Sequence, residues 1–356
     1  MRVRMLAGTG GVGAGDAGAE APALQERGLA RPVLACLAGG LAAGCGAMPV
    51  LQPQGPGAAA IADLWWWLFW MTVLPATGVL AFLLLAVLRR RHAAELDQAP
   101  ESSNLAIILW VGAAMPLAVI LVLMVQSFRT GPRAAEPPQE PAMRVRVVGH
   151  MFWWEVHYPD YGVVTANEIH VPVGQATQLE LQSADVIHSF WIPALHGKLD
   201  MIPGRTNTFW VQPDRPGIFR GQCAEFCGTQ HALMGLMLVA EPPDAFDDWI
   251  AAQRRPVSPG GEQALARGEA VYKEAGCHLC HAVEGRFDPP VANTGPDLTR
   301  FGSRRTIGSV TMLNTDANLR DWIANPHRRK PGVRMPASLL TDDDLTALVA
   351  YLRALR

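Results

Sequence analysis

An excess of charge is what this chain most clearly lacks. Its 356 residues hold 30 basic and 32 acidic side chains, a formal net charge of −2. Without a basic surplus, binding along nucleic acid phosphates is excluded as a main role. Cysteine is scarce as well, six residues in all, and the spacing does not suit a disulfide framework. Cys36 and Cys45 stand in the first 45 residues, and the others form two close pairs, Cys223/Cys227 and Cys277/Cys280, each with a histidine just downstream. Disulfide loops that short are uncommon. A zinc ribbon would need a second C-x-x-C beside Cys277 and Cys280, and none exists. Internal repeats are absent too, which excludes a solenoid.

Charge is missing most completely from two stretches, "LWWWLFWMTVLPATGVLAFLLLAVL" (Leu64–Leu88) and "LAIILWVGAAMPLAVILVLMV" (Leu105–Val125). Each exceeds the roughly 20 residues that a helix needs to cross a bilayer, and each is apolar on all faces. They predict a transmembrane hairpin over 63–127, with spans at about 64–88 and 105–126 and with Pro75 and Pro116 tolerated as kinks. "RRRH", Arg89–His92, puts the connecting loop in the cytoplasm and the chain beyond Phe128 outside. Trp65, Trp66, Trp67 and Trp70 form an interfacial belt at the outer end of the first span. Residues 1–45 end in "RPVLACLAGGLAAGC", which looks like a bacterial lipoprotein signal cleaved before Cys45 and lipidated on it. An ordinary signal peptide or a later start codon is the alternative.

A Pro-rich linker follows the hairpin. Strand-like alternation then runs from "MRVRVVGHMFWWEVHY" through short segments separated by Pro and Gly, predicting a small β-sandwich or barrel over 143–242. Residues 243–261 read as a short helix and a second linker, and 262–356 as helical. In "TDDDLTALVAYLRAL", Thr341 is the N-cap, acids fill the first turn, and Leu345, Leu348, Val349 and Leu352 form one apolar stripe.

"CHLCH", Cys277–His281, fits covalent haem c attachment, with both thiols joined to the porphyrin and His281 on one axial site of the iron. Met335 in "KPGVRMPASLL" is the expected sixth ligand, a thioether that raises the iron's potential. His327 is its competitor. The early C-x-x-C-H, "GPDL" (Gly295–Leu298), the late M-P and a closing helix with "YL" (Tyr351–Leu352) resemble class I cytochromes c. That resemblance implies that the Pro296 carbonyl accepts from the His281 ring.

The stretch "GQCAEFCGTQHALMG", Gly221–Gly235, mixes thiols, imidazole and thioether, a set that favours copper over zinc. One blue copper would use one Cys, one His and one Met with an upstream His, which His188 in "DVIHSFWIP" supplies, and would leave a cysteine over. Two coppers bridged by two thiolates use both, with His231, Met234, His188 and the Glu225 carbonyl completing the ligand set. From Ile61 to Pro242 the chain resembles subunit II of haem–copper cytochrome c oxidases, on the two spans, "GHMFWWEVHYP", "DVIHSFWIPALHGKLDMIPGRTN" and the copper loop. With haem c fused behind, it is similar to subunit II of the caa type.

The resemblance implies a transmembrane hairpin, an all-β cupredoxin-like domain with a dinuclear CuA centre, and an all-α class I cytochrome c domain on the outer side of a bacterial inner membrane. It implies a relay from haem c to CuA and on to subunit I, where oxygen is reduced to water with proton translocation. Subunits I and III, a donor cytochrome c or bc complex, and lipid are the implied partners. The Glu225 carboxylate matches a magnesium or manganese ligand at the subunit I interface, and Lys198 and Asp200 match positions near it. Where the family has tryptophan at electron entry, this chain has Phe152, followed by Trp153 and Trp154. Asp185 matches an acidic docking position or is a turn residue, and Glu101 stands near a family proton-channel entrance. The remaining reading is a tethered electron carrier outside any oxidase. A nitrous oxide reductase would need a propeller absent here, and quinol oxidase subunits lack the copper ligands.

Overall fold

The computed structural model describes residues 48–90, 101–137, 139–257, 263–288 and 294–356. The signal segment with Cys45, the loop residues Arg91 and His92, and 258–261 of the second linker lie outside the described residues.

Both apolar stretches are helical. Helix α1 spans Pro56–Arg90. Helix α2, Glu101–Leu109, continues through a π turn at Trp110–Ala114 into α3, Met115–Ala135. The π turn falls just before Pro116, whose ring cannot continue a regular ladder. Glu101 therefore opens the helix that carries the second span. The two apolar windows are long and apolar enough to cross a membrane, and no residue of either window is buried within the protein. Their side chains therefore need lipid or a partner helix as solvent.

The β domain begins with β1 (Met143–His150), β2 (Trp153–Tyr158), β3 (Val163–Ala166), β4 (Glu168–Pro172) and β5 (Thr177–Ser183). It continues with β6 (His188–Phe190), β7 (Leu199–Met201), β8 (Asn207–Val211), β9 (Gly217–Gln222) and β10 (Gly235–Glu241). One sheet has the order β3-β2-β1-β5-β8 and the other β4-β10-β9, with β6–β7 as a separate ribbon. β1 and β5 run parallel, as do β4 and β10, and the other pairs are antiparallel. Alternate residues of β1 and β5 (Val145, Val147, Leu179, Leu181) turn inward to meet Leu236, Leu238 and Trp154 in one core. Helix α4, Pro243–Gln253, closes this core with Phe246 and Ile250, while Trp249 stacks on His170.

The C-terminal domain consists of α5 (Gln263–Glu274), α6 (Asp316–Ala324), α7 (Pro326–Arg329) and α8 (Asp342–Ala354), with a two-residue ribbon β11–β12 at Thr306–Ile307 and Met312–Leu313. Thr341 caps α8 by accepting from the Asp344 N–H at 3.2 Å, and the predicted stripe Leu345, Leu348, Val349 and Leu352 is buried. Helices α5 and α8 cross at Gly268, where a Cβ would lie 2.2 Å from the Ala347 carbonyl oxygen. The all-β and all-α parts stand as the strand and helix patterns predict.

Candidate metal and haem centres

The candidate copper loop lies between β9 and β10, and short backbone bonds hold its ends. The Cys223 N–H donates to the Met234 carbonyl at 3.0 Å, and the Ala224 N–H to Ser189 of β6 at 3.0 Å. His188 on β6 is fully buried. Its ring fits only because β1 has Gly149 opposite, where a Cβ would stand 2.8 Å from the ring.

Five side chains thereby converge. The Cys223 and Cys227 sulfurs are 3.8 Å apart and unbonded. His188 Nδ1 is 3.8 Å from Cys223 Sγ, and both His231 Nδ1 and Met234 Sδ are 3.8 Å from Cys227 Sγ. The Glu225 carbonyl accepts from the Cys223 thiol at 3.2 Å. His188, Cys223 and Cys227 group closely enough to hold a metal ion, and all three are buried. The sulfur gap is shorter than two metal–sulfur bonds of about 2.3 Å each. An ion bonded to both sulfurs must therefore sit off the line joining them, which leaves a position on either side.

Electrostatics favour cations here. Cys227, hydrogen-bonded to Cys223, pulls that thiol down to about 3, with burial opposing and His188 assisting. The same hydrogen bond, with burial, pushes Cys227 up. The two sulfurs thus compete for a proton across their short gap, and bound cations would relieve that competition by favouring both thiolates. Burial alone would lower His188, but Asp185 and Cys223 outweigh it and raise its pKa.

Asp185 has a contact that the sequence reading does not foresee. Its carboxylate is 2.8 Å from His188 Nε2 and accepts from the Met151 N–H at 2.7 Å. The side chain orients the His188 ring and leaves Nδ1 facing the sulfurs, a carboxylate–histidine pairing typical of metal sites. Sequence spacing held a hint, since Asp185 stands three residues before His188.

Lys198 pairs with the Glu225 carboxylate at 3.5 Å, both side chains about half exposed. Asp200 pairs across β7 with Ser189 of β6, and its carbonyl accepts from Asn207. A cavity of about 540 Å³ lies beside this edge, with Cys223, Ala224, His231, Lys198 and Trp191 on one wall and Ala58 and Ile61 of α1 on another. Trp154 is fully buried and Trp153 nearly so. The Phe152 ring lies against Gly228 of the copper loop, where a Cβ would be 3.1 Å from its Cζ.

In the helical domain Cys277–Leu279 form a short turn after α5, and the Cys277 and Cys280 thiols are free. His281 Nδ1 donates to the Pro296 carbonyl at 2.7 Å. Burial keeps the His281 ring's pKa low, so it stays neutral with Nε2 available. Gly295 makes this fit possible, since a Cβ there would be 2.6 Å from the ring. The two thiols, the oriented histidine and the glycine cradle fit covalent haem. Met335 packs half-buried against the helical core, and His327 is exposed on α7.

Comparisons with known proteins agree with this plan. Residues 162–241 match the family described as "Cytochrome C oxidase subunit II, periplasmic domain", and 265–356 match "Cytochrome c". The chain is 35% identical over 320 residues to "Cytochrome c oxidase subunit 2" of Alkalihalophilus pseudofirmus, covering 87% of this chain and 91% of that one. It is 32% identical over 295 residues to the protein of the same name in Bacillus subtilis, covering 78% and 83%.

Proposed function

Since this chain belongs to the cytochrome c oxidase subunit II family, we propose that it relays electrons from a covalent haem c to a dinuclear copper centre and on to subunit I. The spans sit in a bacterial inner membrane, and the β and haem domains face its outer side. In this division the hairpin covers 63–127, the copper domain 143–242, and the haem domain 262–356.

When bound, a haem iron and a thiolate-bridged copper pair supply one-electron transfer in which no bond forms or breaks. The rest is done by residues. Cys277 and Cys280 would hold the porphyrin covalently, His281 and Met335 would ligate its iron, and the Pro296 carbonyl, which accepts from His281 Nδ1, fixes the histidine tautomer. Cys223 and Cys227 would hold the copper ions through their sulfurs, with His188, His231, Met234 and the Glu225 carbonyl as the further donors, and Asp185 orients His188. The Glu225 carboxylate offers one oxygen to a magnesium or manganese ion. Such an ion prefers six oxygens, so subunit I and water must provide the others. Subunit III and a donor cytochrome c or bc complex complete the assembly, and subunit I holds the oxygen-reducing site.

The observation that carries this reading is the unbonded sulfur pair at 3.8 Å, flanked by two imidazoles and a thioether. Purification in mild detergent tests it. The chain alone should oxidise reduced cytochrome c only stoichiometrically, and sustained oxygen uptake should appear only when a haem-bearing subunit I co-purifies. Catalytic oxygen uptake by the isolated chain would contradict the relay. Absence of any co-purifying oxidase subunit would favour the tethered carrier.

A further inference from the structure

Resting on the reading of two centres in one chain, we propose that Gln230 is a positioning residue that fixes the Lys330–Met335 loop of the haem domain onto the copper loop. It thereby sets the rate at which one electron passes between the centres. Gln230 stands directly before His231 and is 1% exposed. Its side-chain amide donates to two successive carbonyls of the haem domain, Lys330 at 2.7 Å and Pro331 at 2.8 Å. Its neighbour Thr229 closes on Gly332, where a Cβ would be 3.1 Å from the threonine oxygen. The loop between copper-loop residues Cys227 and His231 therefore touches the segment that leads to Met335.

Other contacts hold the same register. Ser309 Oγ and Lys330 Nζ both donate to the Phe152 carbonyl, at 2.8 and 3.2 Å, and the Phe152 ring packs on Gly228. Farther out, the buried Glu168 carboxylate accepts from the N–H groups of Arg305 and Thr306 and from the Thr306 hydroxyl at 2.8–3.0 Å. The apolar contact of Val310 with Met237 and Val239 would tolerate sliding. An amide bound to two adjacent carbonyls does not, because a shift leaves buried acceptors unpaired. Electron passage falls steeply with separation, so the register of these loops governs it. The electron lost by the haem iron is the one gained at copper, and no covalent bond or proton changes place.

The test uses the full chain in detergent, loaded with both cofactors, carrying Gln230→Leu. Loss of two buried hydrogen bonds should slow haem-to-copper transfer about tenfold, read as near-infrared change after rapid photoreduction of the haem. Haem reduction by a small-molecule reductant and the absorption spectra of both centres should stay as in the wild type. Amide hydrogen exchange across 330–335 should quicken. Ser309→Ala, which leaves both cofactor loops intact, should slow transfer by a smaller factor. An unchanged transfer rate in loaded Gln230→Leu overturns the inference, whatever the exchange shows. Should that variant lose copper, an unchanged rate in Ser309→Ala overturns it instead. A wild-type chain without a copper pair sinks the reading of the site, whereas a loaded chain with unaltered transfer sinks only the role of Gln230.

Discussion

The proposed copper ligands show how much a single loop can declare. Cys223, Cys227, His231 and Met234 lie close in sequence, so their spacing alone brings them together, and one upstream histidine suffices to complete the set. Cys227→Ser should remove the second bridge. Copper should fall from two ions per chain to at most one, and the near-infrared absorption should vanish, which metal analysis and a spectrum would check. Retention of two coppers would refute the bridging role. Asp185 and Lys330 were less legible, because their roles depend on neighbours far along the chain. Lys330 is 2% exposed, and burial pushes its ammonium down to about 8 against an attraction from Cys227. Between about pH 8 and the ordinary lysine value of 10.5, the unfolded chain therefore holds a proton that the folded chain has released. Stability from this group is lowest below pH 8 and rises with pH across that window, by about 1–3 kcal/mol. Denaturant unfolding of the wild type minus that of Lys330→Met should show the rise, and a flat difference would contradict it.

Elements with strong periodicity were readable in outline. The charge-free runs gave the two spans, alternation gave the strands, and Thr341 with its acidic first turn gave the start of α8. What sequence could not convey is why certain glycines are there. Gly268 in α5 reads as a weak helix position, yet it stands where α8 crosses, with Tyr351 Cβ 2.5 Å from the place its own Cβ would take. Gly268→Val should destabilise the haem domain by about 1–3 kcal/mol or more. Haem attached per chain should fall while the copper absorption persists, because α5 and α8 contribute nothing to the β-domain core. Equal loss of both signals would contradict that separation. Gly149 and Gly295 follow the same logic, giving the rings of His188 and His281 room that no periodicity announces.

On the scale of the molecule, sequence showed three parts and their order but not how the last two meet. The junction is built from residues with no shared pattern (Glu168, Gln230, Ser309, Lys330), and most of its hydrogen bonds join groups more than a hundred positions apart. Helix α4 was similarly opaque. It precedes a linker in sequence, yet its apolar face seals the β domain, so the connection to the haem domain begins only after Gln253. The whole account depends on one property of the metal site, an electron shared between two copper ions through two sulfurs. Electron paramagnetic resonance of the oxidised, purified chain tests it most directly, with metal analysis on the same sample. The account predicts hyperfine splitting from two equivalent copper nuclei, with two coppers and one haem iron per chain. A spectrum from a single Cu(II) nucleus, or zinc in place of copper, would contradict it.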